Sequence, residues 1–467
     1  MSENIPTISL TDFTYSALKR YTIQTVQDRA IPDFKDGLKP VQRKILWCMY
    51  KLGLFHNLAY KKSARVAGEV MGKYHPHGNS YPAIVNLAQA YRKYNLVQGQ
   101  GNWGSYSGDS AAAERYTECR LSEFSDVILL DKDYLEIVPY TDNYDGTEKE
   151  PVYLPARLPV VLLANASGIA MAVRTGLPCF TIDSIIDVCI YYLSNRTLPI
   201  DLEKRLDFTN TYGGRCVSTE QELKEYFKTG SGSITFEPEY ELFKDRIEIT
   251  GIPDNFDVEK ILDHLDELSE VKSVRDEGGE QVKIIINLNC KSSDSKAIEK
   301  ILKKLRTKFL YSTNVLNRMV DKNGEIQVKY RETNIPKIIE NWCHFRLKLE
   351  KDHLNYLKQQ VEKDIAYQNL LLKAAENTKL IFQALQEEDT KNIIQTQLQL
   401  SNEQAEIIMN LPIKRLSRLD KEKTKITLDN FNKNLESLNN KLNNVLEVVI
   451  EDLKFIKEKF GNGKRRN

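Results

Sequence analysis

LVQGQGNWGSYSGDSAAAERYTECRL occupies residues 96–121, and its two halves read differently. The first is crowded with glycine and serine, so 94–110 is expected to be loop. Within it GQGNWG, 99–104, fits G-x-G-x-x-G. A dinucleotide-binding turn needs that motif between a strand and a helix whose N-terminus meets the pyrophosphate. More glycine and serine follow here, so the flank is wrong for a nucleotide, although such glycines still let a loop come close to a phosphate backbone. The second half, AAAERYTECRL at 111–121, sets Tyr116 directly after Arg115 and four residues before Arg120. A tyrosine hydroxyl is a poor nucleophile at neutral pH, its ordinary pKa being about 10. A neighbouring cation lowers the cost of forming phenolate and can also contact a phosphate. Arg-Tyr is a common dipeptide, so these residues alone fit a core tyrosine better than a nucleophile.

On the N-terminal side, residues 15–53 read as two helices split by the turn IPDFKDGLKP, where Pro32, Gly37 and Pro40 break the pattern. Between residues 29 and 93 there are twelve Lys/Arg against three acids, in a chain whose net charge is +1. That clustering suggests a face for a polyanion, with a solvated basic surface as the plainer alternative. A helix-turn-helix beside basic residues is a common way to dock on duplex DNA. HPH at 75–77 could offer two metal ligands, but the other histidines (56, 264, 344, 353) are distant and no cysteine has ligand spacing. Phosphate contact suits His75 and His77 better. VILLDKD, 127–133, looks like a strand ending in D-x-D, a pattern that can hold Mg²⁺. Nothing fixes a further acidic ligand, so Asp131 and Asp133 read as charges at a helix end, and no metal site is assigned to this chain.

On the C-terminal side, 150–180 mixes prolines with short apolar runs and reads as strands and loops. Residues 181–330 alternate β-rich segments (SITFEP, RIEITGIP, VKIIINLNC) with amphipathic helices (VEKILDHLDEL, SKAIEKILKKL). After Pro336 the chain is helical by composition through 385, with Leu347, Leu354 and Val361 seven apart. Residues 428–449 keep a heptad through Leu428, Phe431, Leu435, Leu438, Leu442, Val445 and Val449. An antiparallel coiled coil with a small helical head between its arms is expected, its first arm about 70 Å long at 1.5 Å per residue.

The 467 residues predict roughly three domains, and 41% hydrophobic with 28% charged residues describes a globular chain. There is no long apolar run and no basic-then-apolar leader, so neither a membrane span nor a secretory signal is expected. Seven scattered cysteines without CxxC suggest reduced thiols in a cytoplasm. No G-x-x-x-x-G-K-[ST] is present, so ATP binding by this chain is not expected.

Taken in order, LKPVQRKILW, KSARVAGEVMGKYHPHG, the segment 96–121, DNYDGTEKEPVYLPARLPVVLLANASGIAMAV and LPIKRLSRLDKEK closely resemble the A subunits of gyrase and topoisomerase IV, the type IIA DNA topoisomerases. The agreement runs from about residue 15 to 460. The resemblance implies a multidomain α+β chain: a winged-helix DNA-cleavage domain (1–150), a tower or shoulder domain (151–334), and a coiled coil (335–460) whose dimerisation head lies at about 386–425, before a basic tail (461–467). It implies that Tyr116 forms a transient 5′-phosphotyrosine link, with Arg115 as a phosphate contact. Arg29 assists from the partner protomer's side, and His75 and His77 lie near the scissile phosphate. Lys39, Arg43, Lys44, Lys62, Arg65 and Lys73 fall in DNA-gripping segments, and Ile169 in ASGIA matches the residue that wedges between base pairs. Double-stranded DNA, a second copy of the chain, and a B-type subunit supplying ATP and Mg²⁺ are the implied partners, in the cytoplasm of a bacterium or a phage-infected host.

Three departures are visible. HPHGNSYPAI is two residues shorter than the bacterial pattern, and Pro82 stands where an acidic residue helps anchor quinolone drugs. The sequence ends soon after the coiled coil, without a DNA-wrapping β-domain, so relaxation or decatenation is expected rather than supercoiling. In build it is most similar to the medium subunits of T-even-type phage topoisomerases. Two other classes compete: a non-catalytic DNA-binding coiled-coil architectural protein, in which Tyr116 is core, and a tyrosine recombinase, whose Arg-His-x-x-Arg set is missing.

Overall fold

The computed structural model describes residues 9–461 apart from 90–93, 107, 165, 171–172, 211, 255, 257, 280, 388 and 412–420. Arg92 and Lys93 of the basic stretch, most of the LPIKRLSRLDKEK segment and the tail beyond 461 lie outside the described residues. The chain mixes helix and sheet and divides into two compact units, one of residues 1–346 with 450–467, the other of 347–449.

In the first unit, helices Pro40–Lys51, Ser63–Lys73 and Tyr81–Ala88 pack beside a three-stranded antiparallel sheet in the order Lys61–Lys62, Glu118–Leu121, Val97–Gln100. Pro40 starts its helix where a missing N–H costs nothing, and Ile45, Leu46, Cys48 and Met49 are buried. Val66 and Val70, a turn apart, and Ile84 are buried as well. The helix Leu10–Thr25 differs: none of its residues is buried, and Leu10, Phe13, Leu18 and Tyr21 are exposed.

Two local readings need correction. Val97–Gln100 is a strand and not loop, pairing with Glu118–Leu121. Gly99 is required there because a Cβ would lie 2.3 Å from Trp103 Nε1, so the missing side chain is replaced by an indole from the following loop. VILLDKD is not a strand either. Ser122 caps the helix Glu123–Ile128, and Asp131 caps the short helix Lys132–Leu135 by accepting from Asp133 N at 3.1 Å. Short apolar runs fit a buried helix as well as a strand, and here Ile128 and Leu129 are fully buried.

A five-stranded antiparallel sheet follows, ordered Arg215–Cys216, Ser231–Glu237, Thr307–Ser312, Val173–Gly176, Ser167–Ala170. A four-stranded sheet (Glu239–Leu242, Arg246–Gly251, Ile284–Leu288, Val271–Asp276) shares its core with helices Val258–Asp266 and Ser295–Leu305, through Ile247, Ile284, Ile286, Ile301 and Leu305. The hairpin Asn314–Val320 and Ile326–Glu332 returns to the N-terminal turn: Asp33 bridges Leu316 in parallel, and Asp33 Oδ2 accepts from Arg318 N at 2.8 Å.

The second unit has its own seam and its own core. The helix Ile335–Glu376 enters it at Leu347. Leu354, Val361 and Leu438 are buried together, with Leu357, Ile365, Phe431, Leu435 and Leu442 packed on them, so the seven-residue spacing does place one stripe on the seam. The first helix is shorter than its composition suggests, breaking at Asn377 before Thr378–Ala384. The second core, from Leu370 to Leu411, joins the end of that helix to Thr378–Ala384, Thr390–Leu398 and Asn402–Met409.

No helix of the described residues is long and apolar enough to cross a membrane.

Candidate nucleic-acid interface

Tyr116 closes a tight turn, its N–H donating to Ala113 O at 2.9 Å, and the ring is 62% exposed. The Arg115 guanidinium lies over that ring, 4.6 Å from its centroid, and is itself exposed. The turn is anchored from behind. Ser63 N and Ala64 N, at the start of helix Ser63–Lys73, donate to Thr117 O (3.0 Å) and Glu114 O (3.2 Å). Thr117 Oγ1 donates to Ser63 Oγ at 2.8 Å, Tyr81 OH donates to Ala112 O at 2.5 Å, and Asn79 Nδ2 donates to Glu114 Oε2 at 3.1 Å. A polar bed, buried at Ser63 and Thr117, thus holds an exposed tyrosine, the reverse of a core residue. Tyr81, Asn79 and Ser63 do not stand out in the sequence, because the Tyr116 turn they hold lies 31 to 54 residues away in the chain.

Arg120 does not join Tyr116. Its guanidinium donates to Gln98 Oε1 (3.0 Å) and Leu58 O (2.5 Å) and covers the Tyr60 ring.

The histidines lie past the other end of the same helix. His75 N donates to Val70 O at 2.7 Å, and the His75 and His77 rings meet edge to face at 5.1 Å. Burial, then the positive Lys44, with His77 and Arg29 contributing, pushes His75 down to about 4. Lys44, His77 and Arg29 of the same chain thus lie near enough to His75 to oppose its protonation, which leaves it a neutral imidazole beside cations. The Tyr116 turn is bonded to the first turn of the helix and His75 to the last; eleven residues separate these ends by about 15 Å along the axis.

Arg29 is exposed on a π-helical turn, Val26–Ala30. That turn is held from three directions. The Arg318 guanidinium donates to Gln27 O, Asp33 binds the 314–320 strand, and Gly168 packs so tightly on Ala30 that a Cβ there would lie 2.0 Å from the Ala30 carbonyl oxygen. The neighbouring Ile169 is 82% exposed on the strand Ser167–Ala170, its side chain presented outward. Neither Gly168 nor Arg318 stood out in the sequence, because their partners are more than a hundred residues away.

The remaining basic residues divide. Arg65 is exposed. Lys62 and Lys73 are exposed but paired, with Glu118 at 3.0 Å and with Glu69 and Glu148 at 2.8 and 3.4 Å. Lys44 donates to Tyr74 O at 2.7 Å and pairs with Glu150 at 3.2 Å. Lys39 is half-buried, and burial lowers its pKa. Arg43 departs from the sequence reading. It is 5% exposed and binds Asp36 in a fork, Nε to Oδ2 at 2.6 Å and Nη2 to Oδ1 at 2.9 Å, with Nη2 also on Leu38 O. Its guanidinium is an internal brace for the turn and not a DNA contact. The Lys35 ammonium is likewise buried, on Arg318 O and over the Tyr153 ring. Counting charges in sequence overstated the free positive surface.

Among the described residues no group of three His, Cys, Asp or Glu side chains could hold a metal ion. Asp131 is used as a helix cap and lies 3.6 Å from Arg157. The described residues of this chain do not fit a resident Mg²⁺.

Residues 29–454 match the sequence profile of the family formed by the A subunits of DNA gyrase and topoisomerase IV. Similar proteins include the DNA gyrase A subunit of Metamycoplasma arthritidis, 33% identical over 96% of this chain and 52% of that protein. The DNA gyrase A subunit of Helicobacter pylori is 33% identical over 99% of this chain and 58% of its own length. The DNA topoisomerase 4 A subunit of Haemophilus influenzae is 33% identical over 96% and 62%. The chain thus spans a little over half the length of these relatives. With a matched profile covering most of its residues, the chain belongs to the family of DNA gyrase and topoisomerase IV A subunits.

Proposed function

We propose that this chain is the DNA-cleaving and religating subunit of an ATP-dependent type II topoisomerase, with Tyr116 as the nucleophile. The observation that carries this reading is an exposed tyrosine on a polar-anchored turn, under an exposed arginine, in a chain of this family. The Tyr116 oxygen would attack the backbone phosphorus, forming a 5′-phosphotyrosine link and releasing the 3′ oxygen of the neighbouring sugar. Resealing reverses this, so the bond energy is kept. Arg115, stacked over the Tyr116 ring, is proposed to contact the phosphate and offset its charge.

Arg29, His75 and His77 are proposed as the cationic and hydrogen-bonding side of the cleavage site. Their position past the far end of the helix from the Tyr116 turn supports a site completed between two copies, each Tyr116 meeting the other chain's cluster. A homodimer would then cut both strands. Lys39, Lys44, Lys62, Arg65 and Lys73 are proposed to grip the backbone, which is the sequence-independent part of binding. Ile169 is proposed as an apolar wedge that unstacks a base step and bends the duplex.

In domain terms, residues to about 150 are read as a winged helix and the following sheets, to about 334, as a tower. The seam helices are read as a coiled coil whose small core is a second dimer contact. ATP and Mg²⁺ are proposed to be supplied by a B-type subunit. The unburied apolar residues of helix Leu10–Thr25 give a protein partner something to cover.

Tyr116→Phe tests the reading. Together with its B-type subunit the variant should bind duplex DNA as the wild type does and form no protein-linked DNA. Protein-linked DNA from the Phe variant would refute the assignment.

A further inference from the structure

The turn at Pro32–Lys39, the helix Tyr81–Ala88 and the paired strands Cys179–Phe180 and Phe208–Thr209 line a partly open cavity of about 280 Å³. Much of its wall is aliphatic, from Leu38, Leu87 and Leu163 among others. Two polar groups on that wall are incompletely used. Asn210 is 4% exposed, yet its side-chain Nδ2 has no acceptor among the described residues. Interiors seldom leave an amide N–H in that state unless water or a ligand completes it. Lys39 lines the same cavity, half-buried and without a carboxylate partner among the described residues. A half-buried cation without a counter-charge favours an anion that brings one. The Ser167 and Thr209 side chains add hydroxyl groups to the lining.

We propose that this cavity is a binding site for a small organic monoanion, a carboxylate on a compact apolar or aromatic body. The carboxylate accepts from Lys39 Nζ and Asn210 Nδ2, and the body packs on the leucines. The volume lies at the small end for ligand pockets, which suits a single ring and excludes a nucleotide. Because the proposed function has Lys39 gripping DNA, an occupant would compete for that ammonium; this consequence rests on that reading, whereas binding does not.

The site carries its own reporter. Cys179 lines the cavity and is half-buried, while Cys216 and Cys290 are equally half-buried elsewhere. Benzoate is the probe and nitrobenzene its neutral isostere. The rate at which methyl methanethiosulfonate modifies each cysteine is read by peptide mass spectrometry on the full chain. Benzoate is expected to slow modification of Cys179 saturably while leaving Cys216 and Cys290 unchanged, with nitrobenzene at least about tenfold weaker. Lys39→Met and Asn210→Ala should each raise the half-protecting concentration by about tenfold. Reactivity at the buried Cys48 and Cys119 reports whether either variant has unfolded, and the other then carries the test. No protection of Cys179, equal protection by nitrobenzene, or protection unchanged in a folded variant overturns the proposal.

Discussion

Gly168→Ala puts one methyl group where the account has no room for it. The ideal Cβ would lie 2.0 Å from Ala30 O, 2.9 Å from Ala30 C and 3.2 Å from Thr175 Cγ2. The first two are backbone atoms, so no rotamer change relieves them. Ordinary carbon–oxygen contact needs more than an additional ångström, so the Ser167–Ala170 strand and the Val26–Ala30 turn must separate. That turn is tied on its other side by Arg318 and Asp33, which resist the movement. Overpacking of this kind costs about 1–3 kcal/mol. Because Gly168 does not have a positive φ, the alanine recovers about 0.4–1 kcal/mol through the unfolded state. The net loss is about 1–2 kcal/mol. Activity should suffer more than stability, because a shift of about 1 Å in Arg29 can cost about a hundredfold in rate. The assay pairs thermal unfolding with the rate of covalent complex formation at saturating DNA and B-type subunit. Gly279→Ala, which meets nothing within 4 Å, is the control. If Gly168→Ala melts and cleaves like the wild type, the packing argument fails.

Three further outcomes follow from the same structure. Arg43→Leu leaves Asp36 buried and unpaired, so it should cost about 3–5 kcal/mol of stability by thermal or denaturant unfolding; a variant of normal stability with weakened DNA affinity would restore Arg43 as a DNA contact. His75 is held near 4 against an ordinary 6.5, so the unfolded chain binds the extra proton between those values. Stability from this group is full above about pH 6.5 and lost as pH falls toward about 4, by about 1–3 kcal/mol once partial solvation is allowed for. His75→Gln should flatten that part of the acid dependence of the melting temperature, and an unchanged slope would contradict it. Ile169→Ala should leave the melting temperature within error and reduce the bend of a doubly labelled duplex read by energy transfer; an equal bend removes the wedge.

What the sequence made legible was mostly local or periodic. The seam could be read because Leu354 and Val361 on one helix, and Phe431, Leu435, Leu438 and Leu442 on the other, repeat at the coiled-coil interval, and the sheet-and-helix region because its apolar residues alternate or recur at helical spacing. Pro40 and the glycine-bearing turn marked a helix start that the structure keeps. Long-range compensation was not legible. Gly99 reads as loop until Trp103 is seen filling its side, and Arg43 reads as a surface cation until the turn brings Asp36 beneath it. Arg120 looked like a neighbour of Tyr116, but its guanidinium is taken up by Gln98, Leu58 and Tyr60. Tyr116 and its exposed arginine were found from a family motif, whereas Asn79, Tyr81 and Ser63, which hold the turn, needed coordinates.

The central claim is that Tyr116 bonds to DNA, and it can be measured on the wild-type chain. The purified chain, with Mg²⁺ and its B-type subunit, is mixed with end-labelled duplex, trapped with denaturant and digested. Mass spectrometry then locates the nucleotide-bearing residue, and the label shows which strand end is blocked. The account predicts one adduct, on Tyr116, with the 5′ end blocked and the 3′ hydroxyl free. It also predicts no adduct when the chain is incubated alone with Mg²⁺. An adduct on another residue, a blocked 3′ end, or robust cleavage by the chain alone would contradict it.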